Sequence, residues 1–413
     1  MRSVDEHRQV VAGLISARQP VAQPVSHSTA ALGLVLAEDV IAPLSLPGFD
    51  NSAMDGYAVH VEDIAAASAD TPAQLPVTED IPAGRTDIPT ITAGTAHRIM
   101  TGAPLPFGAT AVVPVEATDG ATGTVSIRAS ARAGQHIRRA GEDVTAGTTV
   151  LQAGAVITPA VLGLAAALGL AELTVVPRQR VLVISTGTEL VAPGTPLQPG
   201  QIYESNAVML AAAVREAGGD VVAAPTTTDD VGKFREILRR HLPGTEGGGD
   251  DHADLIITTG GVSAGAYEVV KDALGDDSEG RVQFVKVAMQ PGMPQGAGTL
   301  DDAAGTPIIT LPGNPVSALV SFEVFVRPAL RAAMGLPNPD RPRRTAVLAE
   351  DLTSPLGKRQ FRRGVLEADT VTSYGPPASH HLRWLATANC LLELDEDTSE
   401  VAAGERVQLW DLR

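Results

Sequence analysis

Val4, Val10, Val11, Leu14 and Ile15 recur at helical spacing behind a Ser3–Glu6 pair in capping-box register, and predict an amphipathic helix over 3–18 that Pro20 stops. From 46 to 140 the pattern shifts to short Val, Ile and Thr runs broken by Pro and Gly, as in "RIMTGAPLPFGATAVVPVEAT", which predicts a small β-rich domain. Thr158 as cap and Pro159 in the first helical turn then open a helix that is apolar on nearly every side and runs to Gly169. A helix of that kind is expected to be buried, with the helix at 3–18 as its partner. The β-rich segment then reads as an insertion between two halves of one helical domain.

Over 178–331 strand-like runs alternate with helical ones. "RVLVIST", "DVVAA", "ADLIITTGG", "RVQFVKVAM" and "TPIITL" are the strands, and 206–217, "DDVGKFREILRRHL" and "VSALVSFEVFVRPALRAAM" are the helices. That alternation implies a doubly wound, mainly parallel α/β sheet. A Pro-rich linker at 335–344 leads to a last β segment containing "TAVLAEDL", "QFRRGVLEA", "CLLELD" and "RVQLWDL". The expected division is 1–45 with 141–177 (helical), 46–140 (inserted β), 178–334 (α/β) and 335–413 (small β domain).

The length of 413 residues agrees, being too great for one core. Aromatic residues make up only 3 %, so the cores rest on Ala, Val, Leu and Ile. A formal net charge of −17 argues against nucleic acid or an anionic membrane surface as partner. Cys390 is the single cysteine, which excludes an intrachain disulfide and thiol-rich metal sites and makes a reducing cytoplasm the natural compartment. The opening "MRSVDEHRQ" has neither signal-peptide nor transmembrane character, and no apolar run is long enough to span a bilayer.

Three strand-to-helix turns are rich in glycine and small polar residues: "STGTEL" (185–190), "TTGGVSAG" (258–265) and "LPGNPVSA" (311–318). In an open α/β sheet such turns lie where ligands bind, and glycine lets backbone N–H groups approach a phosphate. Each turn alone is ordinary punctuation; three together suit a ligand bearing phosphate. None fits the P-loop or G-x-G-x-x-G pattern. Glu189, Asp229, Asp230 and Glu268 fall at or just past strand ends. With phosphate oxygens they are candidate Mg²⁺ ligands. Taken alone each also fits an acid at a helix start, Asp229 and Asp230 above all. His7, His380 and His381 lack metal-ligand spacing. The basic stretch at 340–364 reads as solvated strand faces and loop ends.

The series "PGFDNSAMDGYAV", "RIMTGAPLPFGATAVVPVE", "RRAGEDV", "STGTEL", "IITTGGVSAG" and "LPGNPVSALVSFEVFVRPAL" resembles, in this order, the MoeA family of molybdopterin molybdenumtransferases, which includes the C-terminal part of gephyrin. The resemblance implies an elongated homodimer of four-domain subunits, with a MogA-like α/β domain and a C-terminal small β-barrel. It also implies an active site between the α/β domain of one subunit and the inserted domain of the other. Adenylylated molybdopterin and molybdate would be the substrates, and Mg²⁺-assisted cleavage would release AMP as molybdenum enters the dithiolene. Carried over position by position, Asp55, Thr101, Asp143, Glu189, Asp229 or Asp230, and Glu268 (where many members have Asp) match the family's functional polar residues. Ser185, Gly187, Gly260, Gly261, Ser263, Lys286, Pro312, Gly313, Asn314, Pro315 and Ser317 match its nucleotide and pterin cradle.

One departure stands out. Many members carry Lys-Pro-Gly-Lys-Pro where this chain has "MQPGMPQG", so Gln290 and Met293 replace two lysines and weaken the attraction for the molybdate dianion. Lys286, Arg138 and Arg139 are the cations left to restore it. Ordinary lineage variation with catalysis retained is one reading, and weakened catalysis the other. A rival function follows from the second: a gephyrin-like dimeric scaffold that holds the peptide tail of a receptor or a tubulin-like protein. A relative acting on tungsten is a third reading.

Overall fold

The computed structural model describes residues 1–25, 29–244, 252–261, 269–274 and 281–413. The described chain forms two compact units, one of Met1–Val21 with Val175–Arg413 and the other of Ala22–Thr174.

The first helix, α1 (Val4–Leu14), begins with the predicted reciprocal cap: the Ser3 hydroxyl accepts from the Glu6 N–H, and the Glu6 carboxylate accepts from the Ser3 N–H. In the Ala22–Thr174 unit, β1 (Gly56–Val59), β2 (Ala73–Ile81), β3 (Ala96–Ile99), β4 (Ala111–Pro114) and β5 (Thr124–Ile127) make a sheet in the order β4-β1-β3-β2-β5. Alternation along β1 sends Tyr57 and Val59 into a core with Val113, Val125 and Ile127, while Ala58 joins Ile81, Ile99 and Val112 on the other face. The Tyr57 hydroxyl donates to the Ala121 carbonyl at 2.8 Å, which satisfies the one polar atom of a buried ring.

The second helix, α2 (Pro159–Ala167), has the Thr158 cap and the Pro159 start predicted for it. Its predicted burial fails. Ala165 is its one buried residue, and Ala160, Ala166 and Ala167 are exposed. The apolar stripe of α1 is spent within its own unit. Val4 and Val11 of α1, followed by Ile15, pack into the main core of that unit, beside Phe322, Phe325 and Leu330. Its single apolar stripe is fully used by that sheet-covering layer.

That unit is built on β6 (Arg180–Thr186), α3 (Asn206–Glu216), β7 (Asp220–Ala223), β8 (Thr226–Thr227), α4 (Val231–His241), β9 (Leu255–Thr259), α5 (Val269–Leu274), β10 (Val282–Lys286), β11 (Pro294–Thr299), β12 (Pro307–Leu311), α6 (Pro315–Ser321) and α7 (Arg327–Ala333). The sheet order is β7-β6-β9-β12-β11-β10, with β8 paired to the end of β6. Strands β7, β6, β9 and β12 are parallel, and β11 and β10 form an antiparallel edge. Both faces are covered, which is why the central strands read as near-continuous apolar runs rather than alternating ones. Val181, Val183, Leu255, Ile257, Ile309 and Leu311 face α1, α3 and the α6–α7 side, while Leu182, Ile184, Ile256 and Ile308 face α4 and α5.

Beyond α7 lie β13 (Arg343–Leu348), β14 (Arg359–Glu367), β15 (Thr370–Ser373), α8 (Leu382–Ala386), β16 (Cys390–Leu394) and β17 (Arg406–Asp411). They pair in the order β14-β15-β13-β17-β16, and β16 returns to β14, closing a small barrel. Its core holds Leu348, Leu366, Val371, Leu392 and the thiol Cys390, whose pKa burial pushes up to about 12. The solvated reading of the basic stretch is corrected here. Arg341 and Arg363 are buried, and Arg359 is held by Asp5 and Glu396. Among the described residues no helix is long and apolar enough to cross a membrane.

Candidate active site

Strand β6 feeds α3 and then β7 on one side of the sheet, whereas β9 lies on its other side. The carboxyl ends of β6 and β9 are therefore a topological switch point, where loops diverge and leave a crevice. A cleft of about 750 Å³ opens there. Ser185, Gly187, Glu189, Asp229, Gly260, Gly261, Pro312, Gly313, Asn314 and Pro315, ten of the residues singled out in sequence, line it together.

The floor depends on a close backbone approach. Gly260 has φ +92°, and a Cβ there would sit 2.6 Å from the Thr186 carbonyl oxygen and 2.8 Å from its hydroxyl. A Cβ on Gly313 would lie 3.4 Å from the Gly260 Cα, so the second and third turns nearly touch. Asn206 ties them: its Nδ2 donates to Thr259 Oγ1 at 3.0 Å and to the Gly313 carbonyl at 2.6 Å, and Thr259 Oγ1 donates to the Pro312 carbonyl at 2.9 Å. Asn314 sits at the predicted cap position of α6, yet its side chain makes no cap bond.

The acids divide by role. Asp229 Oδ2 accepts from both the N–H and the hydroxyl of Thr188, at 3.1 and 2.7 Å, which fastens the first turn to the end of β8. Asp230 does not line the cleft; its Oδ1 accepts from the Lys233 N–H at 2.9 Å and caps α4. Glu189 is exposed at the cleft edge, folded back over Gly187. Ser263 and Glu268 lie outside the described residues. Lys286 is exposed on β10, Ser317 is buried on α6, and neither lines the cleft. Among the described residues no three His, Cys, Asp or Glu side chains stand together as a metal site.

In the Ala22–Thr174 unit the segment before β1 is mostly turn chemistry. Asp50 accepts from the Ala140 N–H at 2.8 Å and from Arg139, which together hold its carboxyl below the usual range. Asn51 Nδ2 donates to the Phe49 carbonyl, and the buried Ser52 hydroxyl donates to the Met54 carbonyl. Asp55 is different, being exposed. Its Oδ1 accepts from the Thr101 N–H at 2.6 Å and from the Thr101 hydroxyl at 2.7 Å, and these two bonds, the N–H first, keep its pKa low. The two sequence-predicted residues are thus brought together. Asp143 is exposed in a separate turn, its N–H bonded to the Leu46 carbonyl.

At the departure from the lysine pattern, Gln290 Oε1 accepts from Gln360 Nε2 at 3.1 Å, so a neighbouring amide occupies it. Arg362 and Arg363 border the same narrow crevice as Gln290. The cleft lining also includes residues that sequence reasoning did not single out, Glu204, Asn206 and Tyr203, together with Thr259 of the second turn and His380, noted in sequence only as lacking metal-ligand spacing. Only "YESN" just ahead of a predicted helix could have flagged the first two.

Three family profiles match in succession: the MoeA N-terminal region (domain I and II) over residues 2–169, a "Probable molybdopterin binding domain" over 182–332, and the MoeA C-terminal region (domain IV) over 345–412. The chain is 67 % identical, over the whole of both chains, to a Mycobacterium tuberculosis protein named Molybdopterin molybdenumtransferase 2. It is 36 % identical to the Haemophilus influenzae Molybdopterin molybdenumtransferase, with 91 % of this chain and 90 % of that one covered. Among solved structures, the molybdopterin biosynthesis moea protein from Pyrococcus horikosii superposes with a TM-score of 0.81 at 28 % identity, covering 100 % of this chain and 99 % of that one. On this evidence of sequence and fold together, the chain belongs to the MoeA family.

Proposed function

We propose that this protein transfers molybdenum from molybdate to adenylylated molybdopterin, releasing AMP, as a step of molybdenum cofactor biosynthesis. The observation that carries the reading is the glycine-floored cleft at the switch point, which lies in the segment matched by the molybdopterin-binding profile. Among the described residues its lining holds Glu189, Glu204 and Asp229 and no Lys or Arg. A phosphate-bearing ligand therefore meets acids and backbone rather than fixed cations.

That donor set fits Mg²⁺ arriving with its ligand, since this ion takes one or two carboxylates and fills its remaining positions with phosphate oxygens and water. Glu189 and Asp229 would hold it, and its charge would offset that of the phosphates. Asp230 is committed to its helix cap, which leaves Asp229 the better placed of the pair. The chain's own contribution is orientation: Thr188 fixes Asp229, Asn206 fixes the second and third turns, and Gly260 lets the ligand lie against the backbone.

A homodimer with the four domains set out above belongs to the same reading, with the Asp55–Thr101 pair serving the cleft of a second subunit. Apolar side chains left open to solvent support it: Ile41, Leu44, Phe49 and Phe107 are exposed, as is much of α2. The buried, unbridged Cys390 supports a reducing compartment. The relatives' names favour the transferase over the scaffold. Anaerobic turnover with adenylylated molybdopterin, molybdate and Mg²⁺ tests the reading. AMP release well above that of Asp55→Ala supports it, and release no greater than that control overturns it.

A further inference from the structure

Glu204 is 5 % exposed and has no cationic partner among the described residues. Its Oε1 accepts from the Ala207 N–H at 2.6 Å, capping the first turn of α3. Among the described residues its Oε2 receives no hydrogen bond, and the side chain forms part of the cleft wall. Two positions on, Asn206 is 8 % exposed, uses both of its N–H bonds on Thr259 and Gly313, and leaves Oδ1 without a donor. This wall carries acceptors in excess of donors.

Buried acceptors without donors are expensive unless a ligand supplies what the protein omits. A phosphate cannot, because it offers only acceptors and a like charge. Adenine is a poor match too, since its amino group is flanked by ring nitrogens that accept. The 2-amino-4-oxo pyrimidine edge of a pterin places a lactam N–H beside an amino group with no acceptor between them. We propose that Glu204 reads this N–H edge and so selects the pterin half of the ligand, an inference that rests on the transferase reading above. Glu204 then does two jobs with two oxygens: one holds α3, and the other meets the ligand.

Glu204→Gln separates the jobs. The amide oxygen still accepts from Ala207, while the NH₂ turns a donor toward the pterin donors. Anaerobic equilibrium binding of molybdopterin and, separately, of AMP is measured on the full chain and on this variant, with the melting temperature of each. The expected result is roughly 10- to 100-fold weaker molybdopterin binding, the loss of one hydrogen bond to a buried charge, with AMP affinity and melting temperature unchanged. Equal molybdopterin affinity overturns the inference, and so does a parallel loss of AMP binding and thermal stability, which would make Glu204 a cap only. Mn²⁺ binding weakened by Glu204→Gln in the absence of organic ligand also overturns it, in favour of a cation site. If the unaltered protein fails to bind molybdopterin at all, the transferase reading itself falls.

Discussion

Arg341 holds Glu323 through two parallel hydrogen bonds, Nε–H to Oε2 at 2.9 Å and Nη2–H to Oε1 at 3.0 Å. Both side chains are more than nine-tenths buried, and Arg341 also reaches Glu216 at 2.7 Å. Glu323 sits in the five-residue π turn Phe322–Val326 that joins α6 to α7, and Arg341 in the linker to the barrel. Burial alone would lower the Arg341 pKa. The Glu323 bonds and charge outweigh it and raise the pKa, so the guanidinium stays charged.

A buried pair of this kind is costly to break and cheap to replace. Arg341→Met should destabilise by about 3–5 kcal/mol, because among the described residues Glu323 is left buried with Arg327, at 3.7 Å, as its one remaining cation. Combining it with Glu323→Leu should restore most of that. Urea unfolding of the single and double variants checks it, and equal losses in both would contradict the pairing.

Thr101→Val removes one of the two donors to Asp55 Oδ1 and keeps the N–H, which is the stronger influence on its pKa. The Asp55 pKa should therefore rise only part of the way back to its ordinary value, as read by NMR titration of the carboxyl. The sign follows from the lowered native pKa: any stabilisation from ionised Asp55 is present above the unfolded value and lost as pH falls through the native one. On the transferase reading the carboxylate also loses its fixed rotamer, and AMP release should drop by up to about 100-fold. A variant with unchanged pKa and unchanged turnover would remove Thr101 from the site.

The doubly wound sheet was legible because β6, β9 and β12 are buried on both faces and carry continuous apolar runs, Val181–Ile184, Leu255–Ile257 and Ile308–Ile309, before their polar carboxyl ends. Strand β11 was not. It contains Gly296 and Gly298, poor strand formers, and is fixed by its neighbours: a Cβ on Gly296 would lie 2.0 Å from Thr310 Oγ1. Helix α2 shows a related limit: its apolar pattern predicts burial, yet Ala165 is its one buried residue. Arg363 was misread for the opposite reason. It is 4 % exposed on β14 and donates to the carbonyls of Ala378 and His381, partners that only tertiary contact supplies. In the site, turns marked by glycine could be found from sequence. Glu204 had only its place in "YESN" to mark it, because what distinguishes it from any acid at a helix start is its burial.

Gly260→Ala tests the cleft floor. Alanine at φ +92° is strained, and its methyl would meet the Thr186 carbonyl oxygen at 2.6 Å, so the turn must move. A loss of about 1–3 kcal/mol is expected from the backbone conformation, before any clash is counted. Because Gly313 lies against Gly260, AMP binding should weaken as well. Titration with AMP at a temperature well below the melting transition separates the two effects. Full AMP affinity in a destabilised variant would place the ligand away from this floor.

His7 gives the fold an acid-sensitive point remote from the cleft. The ring is fully buried in α1, edge-on to Phe325 with centroids 4.7 Å apart, and its Nε2 has no partner. Burial, with the Arg2 charge adding to it, pushes its pKa down to about 4. Here the native state resists a proton that the unfolded chain accepts, so stability is complete above about pH 6.5 and is lost progressively as pH falls toward 4. That shift corresponds to a loss on the order of 3 kcal/mol across the interval. His7→Leu should remove this slope while keeping an apolar contact to Phe325. Thermal melts of both proteins at intervals between pH 7 and about 4.5 would show the difference as curves that converge or cross on acidification. Parallel curves would mean that α1 opens far enough to solvate the ring before the rest of the unit unfolds.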